Sequence, residues 1–545
     1  MRKRLFVVLL LGLIFYVRFA FLITVMAEER TFGGFYEPLR VIAAKIDMNG
    51  KLHPVLIPSR NEEFLKKKRF GPIVFLIRTN LVEPHSIVKM KIGEKEFPFL
   101  YLPYIGPLTG IYIPKLYMKI FGRSIYSLRS FLLAIFLFFM FLYMGFAQRC
   151  DRENYFLISL YLITFPIFGM VFATPFFWNG PMIFTTTIIL VQKMKRVVEN
   201  SLIDSLSMVI ILIASGFIIH SHLLAGGVII FSIFLAFFST GRNTSLKIKT
   251  SLLIFGALLF LLLILPYILS PITGIKGVIF RGKDSVREIL LLPINSILYY
   301  LAGIFAGPSF VEIFIHDKID ISYLPVSIPS GIIMIFGFIG LFISRKNGKF
   351  EKFIFLTCLF YLVITLFGDI RSYHINYILP FIVLFIPDGL RKLGVLSEKG
   401  IKSVLVLGIF LNIVQLEMLR ESVKNSSLSL SLHKEVADYL IKNKIKKIHN
   451  IAGMYDYVFI SKEKIEVIDF IPFIGYNHPR ERIYLSLLLS RGEVILLESY
   501  KRGGITTGVS LEEALDIARE TGLKIKVLKK IPDEGKYQLV LARVE

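Results

Sequence analysis

The chain has 545 residues, 54% of them hydrophobic, and its mean hydropathy of +0.66 lies far above that of a soluble domain. The formal net charge is +24, but the basic residues lie mainly in loops beside apolar runs, which favours contact with anionic lipid over nucleic acid. Cys150 lies at a predicted cytoplasmic edge and Cys358 inside a predicted span, which argues against a disulfide framework.

The first apolar run, Leu5–Ala27, is long enough to cross a bilayer, which takes about 20 residues. Arg2, Lys3 and Arg4 precede it, and this placement predicts a cytoplasmic N-terminus. A cleaved signal peptide is the alternative interpretation, but the run is long for one and no clear small-x-small site ends it. We therefore expect a first membrane span followed by a long, charged outer loop.

Further apolar runs follow this loop. They lie at 127–148, 154–174, 180–193, 204–220, 223–239, 250–269, 327–343, 352–367, 373–387 and 402–419. Short loops on alternate sides are basic, such as 192–196 and 344–349, whereas the opposite ones, such as 176–181, are poor in Lys and Arg. With about eleven spans, the positive-inside rule puts the basic loops in the cytoplasm. The loops at 28–126 and 270–326 and the C-terminal tail are then outside.

Residues 288–306 are apolar enough to suggest another span. A crossing there would move the basic residues 345–352 to the outside, against the charge pattern. We interpret this segment as lying in or dipping into the outer interface, with Pro293 and Gly303 breaking it.

The tail from Leu432 has the composition of a soluble protein. An amphipathic helix is predicted at His433–Lys442, and Ser510 with Glu513 predicts a capped helix that ends at Gly522. Short buried strands are predicted at Lys447–Ala452, Ile465–Ile471 and Glu493–Glu498. Strands that alternate with helices indicate a small α/β domain.

The predicted fold is therefore a polytopic all-α membrane protein with a C-terminal soluble α/β domain. The membrane domain comprises residues 1–420, and the extracytoplasmic α/β domain comprises residues 421–545.

Motifs of soluble enzymes are absent: the sequence has no phosphate-binding P-loop, no His-Glu-x-x-His and no nucleophile elbow. His220 and His222 form the only close histidine pair, at a predicted outer membrane edge. We interpret them as polar residues of the membrane interface. Contact with a metal or substrate is the alternative.

Two blocks of sequence resemble recurring segments of a known family. Phe97–Arg129 is aromatic and proline-rich and ends in Phe-Gly-Arg-Ser-Ile-Tyr-Ser-Leu-Arg, and Gly368–Pro380 reads Gly-Asp-Ile-Arg-Ser-Tyr-His-Ile-Asn-Tyr-Ile-Leu-Pro. With the layout of residues 1–420 and the segment 37–50, they resemble the membrane glycosyltransferases of the GT-C class. The dolichyl-phosphate-mannose protein mannosyltransferases and the aminoarabinose lipid A transferases are the most similar families. An oligosaccharyltransferase is disfavoured because the Trp-Trp-Asp motif is absent and the only tryptophan is Trp178.

The resemblance implies an enzyme that moves a sugar from a polyprenyl-phosphate carrier to an acceptor hydroxyl at the outer membrane face. The acceptor is a protein, a glycolipid or a polysaccharide. This reaction needs a carboxylate that deprotonates the acceptor and cations that stabilise the leaving phosphate. No cofactor is expected, and a divalent cation is compatible with the chemistry but not indicated.

The resemblance also suggests the catalytic base. Relatives carry an acidic residue ahead of an amphipathic helix that ends in glycine, and 41–50 matches that helix. Glu37 lies one residue from the usual position, with a single Glu where relatives have Asp-Glu, and Glu28 and Glu29 are the alternatives. In the alternative, structural interpretation, Glu37 is a surface carboxylate that stabilises the start of a helix.

Cations near the outer face are candidates for binding the donor phosphate. They are Lys276, Arg281, Lys283, Arg287, Arg371 and His374. The family motif carries an Arg at the position of Arg371, whereas the loop cluster is equally consistent with headgroup attraction of about 1 kcal/mol per charge. The residues predicted to line a substrate cavity are Tyr101, Tyr104, His222 and Tyr377.

Two other classes of function compete with this one. A lipid or polysaccharide transporter or flippase usually shows repeated halves and charges within mid-chain spans, whereas the middle spans here are almost free of charge. A catalytically inactive relative could serve as a scaffold whose α/β tail binds a partner.

Overall fold

The computed structural model describes residues 2–20, 87–92, 95–101, 108–109, 113–122, 125–166, 168, 179–240, 245–247, 249–269, 286–306, 321–366, 372–394, 396–424, 430–450, 464–469, 487, 490–498, 510–532 and 538–545. The helices before residue 310 are α1 (Arg2–Ala20), α2 (Ile113–Phe121), α3 (Ile125–Cys150), α4 (Tyr155–Thr164), α5 (Asn179–Asn200), α6 (Ser205–Ser221), α7 (Leu223–Thr240), α8 (Thr250–Leu269) and α9 (Val286–Phe305). The later helices are α10 (Leu324–Ser344), α11 (Lys349–Leu366), α12 (Leu379–Ile382), α13 (Ile386–Lys392), α14 (Glu398–Lys424), α15 (Leu430–Lys442) and α16 (Leu511–Thr521).

The strands are β1 (Ile87–Ile92), β2 (Lys95–Tyr101), β3 (Leu202–Asp204), β4 (Ser245–Lys247), β5 (Lys447–Asn450), β6 (Glu466–Asp469), β7 (Val494–Glu498), β8 (Ile525–Ile531) and β9 (Leu539–Val544). Strands β1 and β2 pair antiparallel, and β3 and β4 form a short parallel pair.

Within the described residues, three helical stretches are long and apolar enough to cross a membrane. They are Arg129–Cys150, Ile321–Ser344 and Glu398–Glu421. Shorter apolar helices pack beside them, and α8 leaves large side chains such as Leu258 and Leu262 more than half exposed. Such apolar exposure on a packed helix is expected where the surroundings are lipid. The chain is therefore a membrane protein, and the number of its spans stays a prediction.

The bundle has an aromatic core in which buried hydroxyl groups reach backbone carbonyls of distant helices. Tyr143 of α3 donates a 2.9 Å hydrogen bond to the carbonyl oxygen of Pro380, and Tyr161 of α4 donates one of the same length to Ser330 of α10. These bonds satisfy polar groups that would be costly to bury unpaired.

The predicted span at 373–387 is wrong as a single helix. The segment consists of a 3-10 turn (Ser372–Tyr377), α12, a second 3-10 turn (Val383–Phe385) and α13. Pro380 and Pro387 each stand in the first turn of a new short helix, where the missing N–H is tolerated. The irregular backbone is buried inside the bundle, which is where a membrane protein can accommodate it.

The same segment packs closely against α10 through glycines. A Cβ atom on Gly337 would lie 2.7 Å from the carbonyl oxygen of Ile382, and one on Gly340 would overlap the carbonyl oxygen of Phe385. Small residues therefore allow the two backbones to approach each other, as at many interfaces between membrane helices.

The predicted break in 288–306 is also wrong. Helix α9 continues from Val286 to Phe305 with Pro293 inside it, and Gly303 does not end it. Proline removes one intrahelical hydrogen bond and glycine adds only a modest backbone cost. Contacts with neighbouring helices, given below, hold the helix across both residues.

The C-terminal residues form a five-stranded sheet in the order β6-β5-β7-β9-β8. Strands β6, β5 and β7 are parallel, whereas β9 runs antiparallel to both β7 and β8. Alternate residues face opposite sides: Leu496 packs with α15 and Leu497 with α16, so one helix covers each face. The capping box between Ser510 and Glu513 and the left-handed Gly522 are confirmed. The place of this unit outside the membrane stays a prediction.

Candidate functional site

Several helix ends meet at one end of the bundle, which we call the long-loop end. The Tyr16 hydroxyl of α1 donates a 2.7 Å hydrogen bond to the carbonyl oxygen of Arg129 at the start of α3. Arg18, near the end of the same helix, forms a 2.6 Å ion pair with Glu417 near the end of α14. The loop between α1 and α3 and the segment after α14 therefore both leave the bundle at this end.

Helices α9, α10 and α11 contribute to the same end. Gln415 of α14 donates a 3.4 Å hydrogen bond to the carbonyl oxygen of Val326, in the first turn of α10. Near the end of α11, the Thr365 hydroxyl accepts a 2.6 Å bond from the Tyr300 hydroxyl, and the Leu366 carbonyl accepts one of 3.3 Å from Ser296. The middle of α9 thus lies beside the last turn of α11.

Helix α9 enters the bundle from this end without crossing it. Its last turn lies beside Gly331, where a Cβ atom would come 2.8 Å from the carbonyl oxygen of Ile304. Gly331 is about two turns into α10, whose first residues are at the long-loop end. The last turn of α9 therefore lies about two turns inside the bundle from that end. This geometry agrees with a segment that dips into the interface.

His220, near the end of α6, joins three segments at the long-loop end. Its Nε2 accepts a 2.9 Å hydrogen bond from the backbone N–H of Leu108 in the first loop, and its Nδ1 lies 2.6 Å from the carbonyl oxygen of Leu263 in α8. His222 follows, and its Nδ1 accepts a 3.2 Å bond from the N–H of Ala225 at the start of α7. The ring nitrogens of both histidines therefore form hydrogen bonds with backbone groups. The described residues contain no group of three His, Cys, Asp or Glu that could hold a metal.

An aromatic cluster follows α11 at the same end. The partly buried ring of Tyr377 packs 5.0 Å from Phe184 of α5 and 6.3 Å from Tyr361 of α11, measured between ring centres. The 3-10 turn that carries Tyr377 also packs against α9. This contact brings the helix that carries Arg287 to the turn that carries His374.

Most of the predicted site residues lie outside the described residues. These are Glu28, Glu29, Glu37, Tyr104, Lys276, Arg281, Lys283 and Arg371. The backbone is described, without the side chain, for Tyr101 at the end of β2, Arg287 in the first turn of α9 and His374 in the 3-10 turn. In the sequence, the segments 21–86, 270–285 and 367–371 follow α1, α8 and α11, whose last turns lie at the long-loop end.

Sequence reasoning missed the buried guanidinium of Arg129. This residue is fully buried, and it is the largest such side chain among the described residues. Arginine stays charged in proteins, so a buried guanidinium requires oxygen partners around it. The signal was available, since Arg129 ends the first block that resembles the family.

The opposite end of the bundle carries short loops and paired carboxylates. Arg391 donates to Asp388 at 2.9 Å and pairs with Glu398, and the hydrogen bond with Glu398 raises the pKa of Arg391 above its ordinary value. Asp388 also accepts a 2.8 Å bond from Ser344. These carboxylates are held in a network that ties α10, α13 and α14 together, which leaves the long-loop end as the candidate site.

This bundle has the GT-C fold, which is the fold of a class of membrane glycosyltransferases. Among solved structures it is similar to ArnT from Cupriavidus metallidurans bound to undecaprenyl phosphate, with 10% identity, a TM-score of 0.53 and coverage of 98% of this chain and 97% of that chain. The apo form of the same ArnT has a TM-score of 0.54 at the same identity and coverage.

An oligosaccharyltransferase from Archaeoglobus fulgidus is also 10% identical, with a TM-score of 0.46 over 96% of this chain and 69% of that chain. No protein-family model and no curated protein matches the sequence.

Proposed function

We propose that the chain is a glycosyltransferase of hexosyltransferase type. It moves a sugar from a polyprenyl-phosphate-linked donor to an acceptor hydroxyl at the outer membrane face. The observation that carries the proposal is that the described elements next to the predicted site segments meet at the long-loop end of a bundle with the GT-C fold. A catalytic site that transfers a sugar from a lipid phosphate to a polar acceptor has to lie where the membrane meets water.

The side of the membrane follows from charge. Described basic residues lie at the end opposite the site, for example Lys195 near the end of α5 and Arg391 in α13, whose partners Phe350 and Glu398 are on neighbouring helices of that end. The positive-inside rule places such an end in the cytoplasm, so we propose that the long-loop end and the C-terminal sheet are outside.

The proposed reaction is a displacement at the anomeric carbon of the sugar. The acceptor oxygen forms a bond to that carbon, and the bond from the carbon to the phosphate oxygen breaks, so that the polyprenyl phosphate leaves with the electron pair. A first-loop carboxylate, Glu37 or one of Glu28 and Glu29, takes the proton of the acceptor hydroxyl. No redox partner is needed.

Cations stabilise the leaving phosphate in this proposal. Arg371 and His374 follow α11, and Lys276, Arg281, Lys283 and Arg287 precede or begin α9. The packing of α9 on the 3-10 turn supports a shared site for the two groups. Charge-assisted hydrogen bonds from such groups are stronger than neutral ones, and they act where negative charge develops.

The test uses the full chain in lipid nanodiscs. Undecaprenyl phosphate is titrated with phosphatidic acid as a competitor, because both carry a lipid-linked phosphate. Polyprenyl-phosphate-linked sugars are then supplied with membrane extracts as acceptors, and release of polyprenyl phosphate is measured. We expect saturable binding that phosphatidic acid does not displace, and release that depends on the acceptor.

Two other results would contradict the proposal. Movement of an intact sugar lipid between the leaflets of proteoliposomes, without cleavage, would indicate a flippase. Binding without release from any donor, unchanged in a variant that lacks Glu28, Glu29 and Glu37, would indicate an inactive relative with a scaffolding role.

A further inference from the structure

The proposed reaction assigns no direct chemical role to His220. This residue is 3% exposed and lies in the last turn of α6, at the site end of that helix. A buried imidazole has to satisfy both ring nitrogens or lose the free energy of hydration. Here both nitrogens bond to backbone groups that belong to other segments of the chain.

The two bonds determine the tautomer. The backbone N–H of Leu108 can only donate, so Nε2 of His220 is an acceptor without a proton. The carbonyl oxygen of Leu263 can only accept, so Nδ1 carries the proton and donates it. The ring is therefore neutral, and each nitrogen has a defined role.

Of the two segments that His220 joins, one leads to the candidate catalytic bases and the other to the cations proposed to bind the donor phosphate. Leu108 belongs to the proline-rich block of the first loop, the loop that also carries the candidate bases. Leu263 lies in α8, about two turns before the loop that carries Lys276, Arg281 and Lys283. A single side chain thus fixes the base-bearing loop to the helix that precedes the phosphate-binding loop.

We propose that His220 is a positioning residue that sets the distance between the first loop and α8, and thereby between the catalytic base and the donor phosphate. This inference rests on the proposed function for its catalytic consequence. The contact itself does not depend on it. A misplaced base slows proton transfer, whereas donor binding is assigned to the cations that precede α9 and follow α11.

Substitution of His220 by an amide side chain can remove one of its two hydrogen bonds and keep the other. The Gln amide reaches the position of Nε2 and can still accept from Leu108, whereas the shorter Asn amide reaches the position of Nδ1 and can still donate to Leu263. His220→Gln therefore keeps the loop contact, and His220→Asn keeps only the helix contact. Ser221→Ala is the matched control, because the neighbouring Ser221 hydroxyl bonds only to the Phe217 carbonyl of its own helix.

The experiment combines amide hydrogen exchange with steady-state kinetics of the full chain in nanodiscs. In His220→Asn and His220→Ala, the peptide that contains Leu108 should exchange at least about fivefold faster, as expected for one lost hydrogen bond. Sugar transfer should show a kcat about tenfold lower with a donor KM within about twofold of the wild type. His220→Gln should keep exchange at Leu108 close to wild type but lower kcat, because it loses the bond to Leu263. Ser221→Ala should keep both values close to wild type.

Three outcomes would overturn the inference: unchanged exchange at Leu108 in His220→Asn, equally fast exchange at Leu108 in His220→Gln and His220→Asn, or a rise in donor KM in place of a fall in kcat. Thermal unfolding temperatures of both variants equal to that of the wild type exclude a general loss of folding. If the wild type transfers no sugar from any donor, the proposed function fails. The exchange pattern then still decides whether His220 holds the first loop.

Discussion

The Tyr300 hydroxyl of α9 donates a 2.6 Å hydrogen bond to the Thr365 hydroxyl of α11, which itself donates to the Tyr361 carbonyl at the same distance. This relay links a helix that dips into the bundle to one that spans it. In the sequence, α9 follows the loop that carries Lys276, Arg281 and Lys283, and α11 precedes Arg371, so the bond joins the two helices next to the residues proposed to bind the donor phosphate.

Removing this bond should loosen the site without removing a charge. Tyr300→Phe deletes only the hydroxyl, and Thr365→Val keeps the shape of the side chain. Each should weaken undecaprenyl-phosphate binding severalfold and lower stability by about 1 kcal/mol. The double variant should lose little more than either single one, because both remove the same bond. Thr357→Val is the control, since the Thr357 hydroxyl bonds only to Phe353 of its own helix. Fully additive losses would show that the hydroxyl pair is not coupled.

Arg371 should contribute to donor affinity through a charge-assisted hydrogen bond. Arg371→Ala should weaken undecaprenyl-phosphate binding by about 2 kcal/mol, measured by titration in nanodiscs. Arg371→Lys should restore only part of it, because a point charge lacks the bidentate fork of the guanidinium. Lys346→Ala, at the opposite end of the bundle, serves as the control. Unchanged affinity in both Arg371 variants would indicate a structural role.

Glu37→Gln should abolish most sugar transfer. The amide keeps the size of the carboxylate but cannot accept a proton, so transfer should fall by about 10²-fold or more while donor binding changes little. The measurement is release of polyprenyl phosphate in the presence of acceptor. If the Gln variant keeps full activity, the same substitution at Glu28 and Glu29 tests the alternatives. Activity in all of them would contradict a first-loop base.

Orientation can be tested by labelling single cysteines. With Cys150 replaced, a cysteine at Asp456 should react in intact cells with a reagent that does not cross the membrane, whereas one at Lys346 should not. The buried Cys358 should stay unlabelled in both. The reverse pattern would place the long-loop end in the cytoplasm, where the donor proposed here is not expected.

Acid should weaken the C-terminal sheet through Glu493. Partial burial of its carboxyl alone would raise its pKa, but hydrogen bonds with Lys447 and His449 outweigh burial and hold the pKa below its ordinary value of 4.5. A lowered folded pKa adds stability that is present above the ordinary value and is lost as pH falls through the folded value. The side chain is 34% exposed, so solvent screening should limit the effect to about 1 kcal/mol or less.

The measurement for this prediction is hydrogen exchange of β5 and β7 at pH 7 and at pH 3. Wild-type protection should fall at the lower pH. Glu493→Gln should show weaker protection at pH 7 and a smaller further loss on acidification. If the variant loses as much protection on acidification as the wild type, other carboxylates cause the loss.

Sequence alone predicts the features that depend on neighbours along the chain. Apolar length predicts helices such as α3 and α14, because a spanning helix must satisfy its backbone internally. The Ser510 capping box is visible in the sequence for the same reason: its partners are three residues apart. The GT-C resemblance also came from local blocks, and the fold agrees with it.

Local rules fail where packing decides the conformation. The broken segment from Ser372 to Lys392 is as apolar as a span. Its irregular backbone is tolerated in a membrane only because it is buried against α10. In α9 the reverse holds, because contacts with α11 and α10 stabilise a continuous helix across a proline. Strands β8 and β9 were not predicted from the sequence, and their pairing with each other and with β7 defines them.

The features of the candidate site also fall into those that the sequence predicts and those that packing decides. The sequence by itself determined the membrane character, the residue types available for a base and a phosphate site, and the loops that carry them. Tertiary packing decides that those loops leave one end of the bundle, and that His220 meets Leu108, which lies 112 positions away in the chain. The physical reason is that composition and periodicity act between near neighbours, whereas a hydrogen bond between distant segments exists only after the helices have packed.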